Sequence, residues 1–179
     1  MNIEMKPITR KDKKVKELYR DSFPKEERMS FLFMLLMSKM KNTDFLSFYD
    51  NDVLCGLVYM ATVDAITFIM FLAVDKSVRS KGYGSAILEK IQLLYPENKI
   101  IVSIEQCDEE AKNREERLKR KNFYLKNDYR ETGYFIELEK VEQEVLIKNG
   151  EFDKEEFTIF FKKYSNGAMN PKMWKSDSK

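Results

Sequence analysis

The sequence predicts an α/β fold: a single domain built on one mixed, mostly antiparallel sheet of about seven strands, flanked by helices, with an extra C-terminal helix. Three observations predict it. Short apolar runs, alternating or continuous, interleave with segments of helical period in the order βααβββαβαββα. The 179 residues fit one domain and suffice to bury a core without disulfides. Hydrophobic residues make up 43% of the chain and aromatics 13%, which sets it apart from disordered sequences.

Residues 3–8 read as the first strand, with Thr9 as an N-cap after it. Val15, Leu18, Tyr19 and Phe23 then fall at helical spacing, with lysines on the opposite face. Pro24 opens a second helix with Glu26 and Glu27 in its first turn, where the helix dipole favours them. That helix is expected to run on through 31–40 and, being apolar nearly all round, to be heavily covered. Residues 45–49 alternate, Asp50-Asn51-Asp52 is a turn signal, and Val53–Val63 is a strand.

Ile66–Val74 is almost continuously apolar, the mark of a central strand buried on both faces. After the basic loop 76–81, a helix over 84–95 carries Ile87, Leu88, Ile91 and Leu94 and stops at Pro96. Lys99–Glu105 is another buried strand, followed by a charged helix over 109–126 that reads as a solvated face. Residues 129–139 and 142–148 pair as a hairpin. Phe157, Phe160, Phe161 and Tyr164, at i, i+3, i+4 and i+7, make a terminal amphipathic helix. The organisation is thus a domain over 1–149, a helix over 150–165 packed on it, and a polar tail over 166–179 that is loose apart from Trp174.

Charge and composition exclude several classes. With 32 basic against 30 acidic residues the net field is weak, so no nucleic-acid partner is expected. The most apolar stretch, 29–40, falls short of the ~20 residues of a membrane span. The N-terminus lacks the apolar core of a signal peptide. A cytoplasmic chain without a membrane partner, monomeric or homodimeric, is expected. Histidine is absent, which removes imidazole bases and the commonest metal ligand. Cys55 and Cys107 are too few for a disulfide framework or a zinc site, so no metal is expected.

The informative unit is the strand ending at Val74, the loop 75–81, and Gly82-Tyr83-Gly84-Ser85 opening a helix. A helix N-terminus presents unpaired N–H groups and a positive dipole end, which suit a phosphate. Glycines at 82 and 84 let main chain approach an anion, and Arg79 and Lys81 add charge. A Walker motif would need Gly-Lys-Ser/Thr after a longer loop, which is missing. A dinucleotide fingerprint would need a third glycine where Ile87 stands, on the first strand of a βαβ unit.

The run Arg79-Ser80-Lys81-Gly82-Tyr83-Gly84, preceded by Phe71-Leu72-Ala73-Val74-Asp75, resembles the coenzyme A signature Arg/Gln-x-x-Gly-x-Gly/Ala of the GNAT N-acetyltransferase superfamily. The resemblance extends over about 3–148. A second segment, Phe123-Tyr124-Leu125-Lys126-Asn127-Asp128-Tyr129, is similar to that family's Leu-Tyr-Glu-Lys-x-Gly-Phe. Asp128 stands in place of the glycine, and Asp can adopt a left-handed conformation at some cost. Arg117 stands where the family often has an asparagine beside the pantetheine arm.

This resemblance implies a GNAT-like fold and acetyl transfer from acetyl-CoA straight to an amine. The cofactor would be held by Leu72, Ala73, Val74, Arg79, Ser80, Lys81, Gly82, Tyr83, Gly84 and Ser85. Tyr124 would take the place of the tyrosine that protonates the departing thiolate. The chemistry also needs a base for the amine and a backbone donor for the thioester oxygen. Glu105, at a strand end expected to emerge beside Val74, is the first choice of base, ahead of Asp64 and Glu26. Glu26, Glu27, Asp64 and Glu105 together suggest an acidic approach for a polyamine, an aminoglycoside or a lysine side chain.

Each residue also has an ordinary structural reading. Gly82 and Gly84 can make a tight loop, Arg79 and Lys81 can be solvated charges, and Tyr124 can be a core aromatic. Glu105 can be a strand-end surface carboxylate. Phe31, Phe33, Met34 and Met37 read first as core, and otherwise as the wall of an acceptor cleft. A chain that binds acyl-CoA without turning it over is the alternative function.

Overall fold

The first strand, β1 (Ile3–Pro7), buries Ile3 and leads into helix α1 (Lys13–Ser22), whose apolar stripe Val15, Leu18 and Tyr19 is buried. The residue in the N-cap position of α1 is Asp12, not the expected Thr9. The Asp12 carboxylate turns back to accept from the Thr9 N–H at 2.6 Å and its hydroxyl at 2.8 Å. The helix expected from Pro24 onward divides into a 3₁₀ turn, Lys25–Glu27, and a separate helix α2 (Phe31–Met37). Between them Arg28 and Ser30 are extended, and the Tyr19 hydroxyl donates to the Met29 carbonyl at 3.1 Å, holding that carbonyl away from a helical ladder.

The remaining elements are β2 (Thr43–Asp50), β3 (Val53–Val63), β4 (Ile66–Val74), α3 (Tyr83–Leu94), β5 (Lys99–Glu105), α4 (Arg114–Leu125), β6 (Arg130–Leu138), β7 (Val141–Lys148), α5 (Lys154–Tyr164) and β8 (Met173–Lys175). This computed structural model describes residues 2–107, 111, 113–138 and 140–176; of Glu26 only the backbone is described, and residue 109, where the charged helix was expected to begin, lies outside them. Among the described residues the fold is the α/β class expected, with a mixed sheet and five α-helices. Among these residues no helix is long and apolar enough to cross a membrane.

The chain divides into two compact units, residues 1–62 with 69–96, and residues 63–68 with 97–179. In the first, β1 pairs antiparallel with β2, and β2 with β3. One apolar cluster joins Val15, Leu18 and Tyr19 of α1 to Phe31, Met34 and Leu35 of α2, over Phe45, Leu57, Tyr59 and Ala73 of the strands. The cover expected over α2 is only partial, with Leu32 56%, Phe33 47% and Leu36 62% exposed.

In the second unit β7 pairs antiparallel with both β5 and β6, the expected hairpin being β6–β7. Helix α5 is capped by Asp153, which accepts from the Glu156 N–H at 2.9 Å. Phe157, Phe160 and Phe161 of α5 surround Phe68, with ring centroids at 5.3, 6.0 and 5.7 Å. Burying such rings stabilises by about 1.5–3 kcal/mol each, which fixes α5 as core. The tail adds an eighth strand: β8 pairs with β6, and Trp174 stacks on Phe135 at 6.1 Å.

Candidate functional site

Strand β4 ends at Val74, and the Asp75 N–H donates to the Cys55 carbonyl at 2.9 Å, setting where the loop leaves the sheet. The Asp75 carboxylate then accepts from the Ser77 N–H (2.9 Å) and hydroxyl (2.6 Å), closing a 3₁₀ turn over Lys76–Val78. Those bonds favour the ionised form and hold the Asp75 carboxyl below its ordinary range. Val78 is buried and anchors the turn.

Beyond the turn the backbone is left-handed twice, at Ser80 (φ 61°) and at Gly82 (φ 86°), which occupies the N-cap position of α3. Glycine is free to take that conformation, and Ser80 holds it at some cost. No side chain caps α3, and its first turn carries no acidic residue. The first helical bond is Ala86 N–H to the Gly82 carbonyl, so the N–H groups of Tyr83, Gly84 and Ser85 precede the intrahelical ladder. Arg79 Nε donates to the Val74 carbonyl and Lys81 Nζ to the Ser77 carbonyl, each at 3.1 Å, which keeps both cations on their own loop. A bare helix N-terminus with two tethered cations beside it in the chain is a phosphate-binding geometry.

Two further contacts position α3, and the sequence singled out neither. Gly56 of β3 has no room for a side chain: a Cβ there would lie 2.5 Å from the Ala73 carbonyl oxygen and 2.7 Å from Ile87 Cδ1. Its absence lets α3 lie close on the strands through Ile87. An isolated glycine inside a strand is the signal that could have found it. The Tyr83 hydroxyl donates to Asp50 Oδ2 at 3.0 Å, tying the start of α3 to the end of β2. No local signal links residues so far apart.

In the second unit, Tyr124 of α4 is buried between Phe123 and Tyr129, with centroids at 5.1 and 5.2 Å. Burial pushes its phenol up to about 12, and the Arg120 charge opposes that only in part. Asp128 is left-handed (φ 66°), as its place in the segment requires, and lets Tyr129 N–H return to the Tyr124 carbonyl at 3.2 Å. Glu105 is engaged on both oxygens: Arg117 Nη2 lies 3.0 Å from Oε1 and Arg120 Nη1 2.8 Å from Oε2. Arg117 is further bonded to Asn113 and to the Gln106 carbonyl, each at 2.8 Å. Asp64, the second candidate base, pairs with Lys163 at 2.6 Å, and the Glu26 side chain lies outside the described residues. Among the described residues no group of three or more carboxylates or cysteines is gathered as a metal site would require.

Comparison with solved structures finds the same fold repeatedly. A presumed GNAT-family acetyltransferase from Bacteroides thetaiotaomicron is 23% identical, with a TM-score of 0.69 over 85% of this chain and 89% of that one. The ribosomal-protein-S18-alanine N-acetyltransferase of Escherichia coli is 11% identical, with a TM-score of 0.62 over 86% and 97%. The PaiA N-acetyltransferase of Thermoplasma acidophilum, solved with coenzyme A, is 16% identical, with a TM-score of 0.57 over 84% and 100%. No curated protein matches the chain by sequence. The family model for the acetyltransferase (GNAT) domain matches residues 41–131, which take in β4, the left-handed loop, α3 and the Tyr124 segment, and by that match the chain belongs to the GNAT acetyltransferase family.

Proposed function

We propose that this chain moves an acetyl group from acetyl-CoA to a primary amine by direct transfer. The bare N-terminus of α3, behind Ser80 and Gly82 in left-handed backbone, carries the reading. It offers main-chain donors and a positive dipole end, with no carboxylate in the first turn to oppose an anion. The N–H groups over 79–85, with Arg79 and Lys81, hold the pyrophosphate. The PaiA protein and an aminoglycoside 6'-N-acetyltransferase of the same fold were both solved with coenzyme A.

Bound acetyl-CoA supplies the acetyl group as a thioester. A backbone N–H among Leu72, Ala73 and Val74 steadies the carbonyl oxygen as it gains charge. Glu105 takes the amine proton through water once Arg120, the more exposed of its two partners, withdraws. Tyr124, kept protonated by burial, gives a proton to the departing sulfur. The balance is one new C–N bond, one broken C–S bond, one proton from the amine and one to the thiolate. The transfer is assigned to residues 1–149, with 150–165 covering the same domain, in a cytoplasmic monomer or homodimer.

The test is thermal stabilisation by acetyl-CoA, roughly 2.7 kcal/mol at a hundredfold excess over Kd, together with thiol release on adding amines. No shift at millimolar acetyl-CoA overturns the reading. One observation favours a second one: both Glu105 oxygens are engaged by guanidinium groups, as suits a chain that binds acyl-CoA without turnover. Stabilisation by CoA with no thiol release across a broad amine panel would select it.

A further inference from the structure

We infer that the acceptor presents its amine on an apolar, preferably aromatic body, and is not a polycation. The inference rests on the acetyl-transfer reading and concerns the strand to which that reading assigns the acetyl carbonyl. Met70, Phe71 and Leu72 of β4, just before Ala73 and Val74, are half-buried in a strand otherwise largely closed. The Phe71 ring meets Phe23 at 4.9 Å and Tyr19 at 5.4 Å, both edge-on. Phe23, Met29, Met37 and Phe71 all rest on the buried cluster of α1 and α2 without being sealed into it. Helix α2 also exposes Leu32, Phe33 and Leu36, on the side away from that cluster. Partly open aromatic rings and methionines that adapt their shape form a wall for an apolar ligand.

Charge points the same way. From Arg28 to Lys41 the charged residues are Arg28, Lys39 and Lys41, with no carboxylate among them. Within this segment the charge is positive only, which favours a monoamine that attacks in its neutral form over a polyamine or an aminoglycoside. Of the carboxylates expected to receive a cation, Asp64 is paired with Lys163 and Glu105 with Arg117 and Arg120, and the Glu26 side chain lies outside the described residues.

The experiment uses the full chain and acetyl-CoA, following thiol release with 2-phenylethylamine, spermidine and kanamycin at matched concentrations. A kcat/KM about tenfold or more in favour of 2-phenylethylamine is expected, in the range that hydrophobic pockets discriminate. Phe71→Leu should raise KM for 2-phenylethylamine about tenfold by the same reasoning, with the thermal shift from CoA unchanged. Phe23→Leu serves as the second variant if Phe71→Leu fails to fold. Spermidine or kanamycin matching or exceeding 2-phenylethylamine overturns the inference while leaving acetyl transfer intact. CoA stabilisation with no thiol release from any of the three amines overturns it also. Absence of the CoA shift itself strikes instead at the acetyl-transfer reading.

Discussion

The Tyr83 hydroxyl donates to Asp50 Oδ2 at 3.0 Å, bridging 33 positions of sequence to join the first residue of α3 to the last of β2. The bond fixes where α3 begins, and therefore where its unpaired N–H groups stand. On the proposed reading Asp50 would act on coenzyme binding through Tyr83, as a positioning residue. Asp50→Ala and Tyr83→Phe should each weaken CoA binding several-fold, roughly what loss of one charge-assisted hydrogen bond produces. The double variant should be no worse than either single one, because both remove the same bond. Calorimetric titration of the three variants checks this, and additive losses would show that the two residues act separately.

Gly56 makes the close seat of α3 possible. In Gly56→Ala the new Cβ would meet the Ala73 carbonyl oxygen at 2.5 Å and Ile87 Cδ1 at 2.7 Å. The isoleucine can rotate, but the carbonyl is strand backbone. Overpacking of this kind costs about 1–3 kcal/mol, and Tm should fall by about 2–4 °C per kcal/mol in a chain of this size. A melt with and without CoA should show the lower Tm in both, and a smaller CoA increment if α3 has been pushed off its seat.

These two relationships mark the border of what the sequence makes legible. Strand β4, its loop and α3 could be read because period, glycine spacing and position coincide in one continuous stretch, 66–94. Phe157, Phe160, Phe161 and Tyr164 likewise declare one buried helix face by spacing alone, and all four are buried. The break before the second helix is not legible, because residues 29–40 are apolar nearly all round and no period marks it. The break comes from the Tyr19 hydroxyl on the Met29 carbonyl, a bond across ten positions. Strand β8 is three residues long, too short for alternation to show, and depends on Trp174 stacking on Phe135. Propensity sees local order; pairing across the fold decides the rest.

Glu105 tests the assignment of the base. With Arg117 on one oxygen and Arg120 on the other, it can accept a proton only after one partner moves. Glu105→Gln should lower kcat by about a hundredfold, the lower end of what a general base contributes. Arg120→Ala, which frees Oε2, should not lower kcat. A Glu105→Gln enzyme with an unchanged kcat and a reduced Tm would assign the residue to its ion pairs alone.

Tyr124 joins a stability prediction to a catalytic one. Burial raises its pKa from 10.0 to about 12, so the folded state favours the neutral phenol. Its contribution to stability is therefore complete below pH 10 and is lost as pH rises from 10 through about 12. Wild-type protein should lose stability over that alkaline window, and Tyr124→Phe should flatten the slope, as chemical denaturation at stepped pH would show. The same shift keeps the proton on the phenol at every pH below 10, so this group should impose no alkaline decline on kcat there. A proton donor of this kind contributes about 10²–10⁴-fold, and Tyr124→Phe should lower kcat on that scale while leaving the KM for acetyl-CoA in place. Wild-type kcat in Tyr124→Phe would leave the residue a core aromatic and pass the protonation of the thiolate to water.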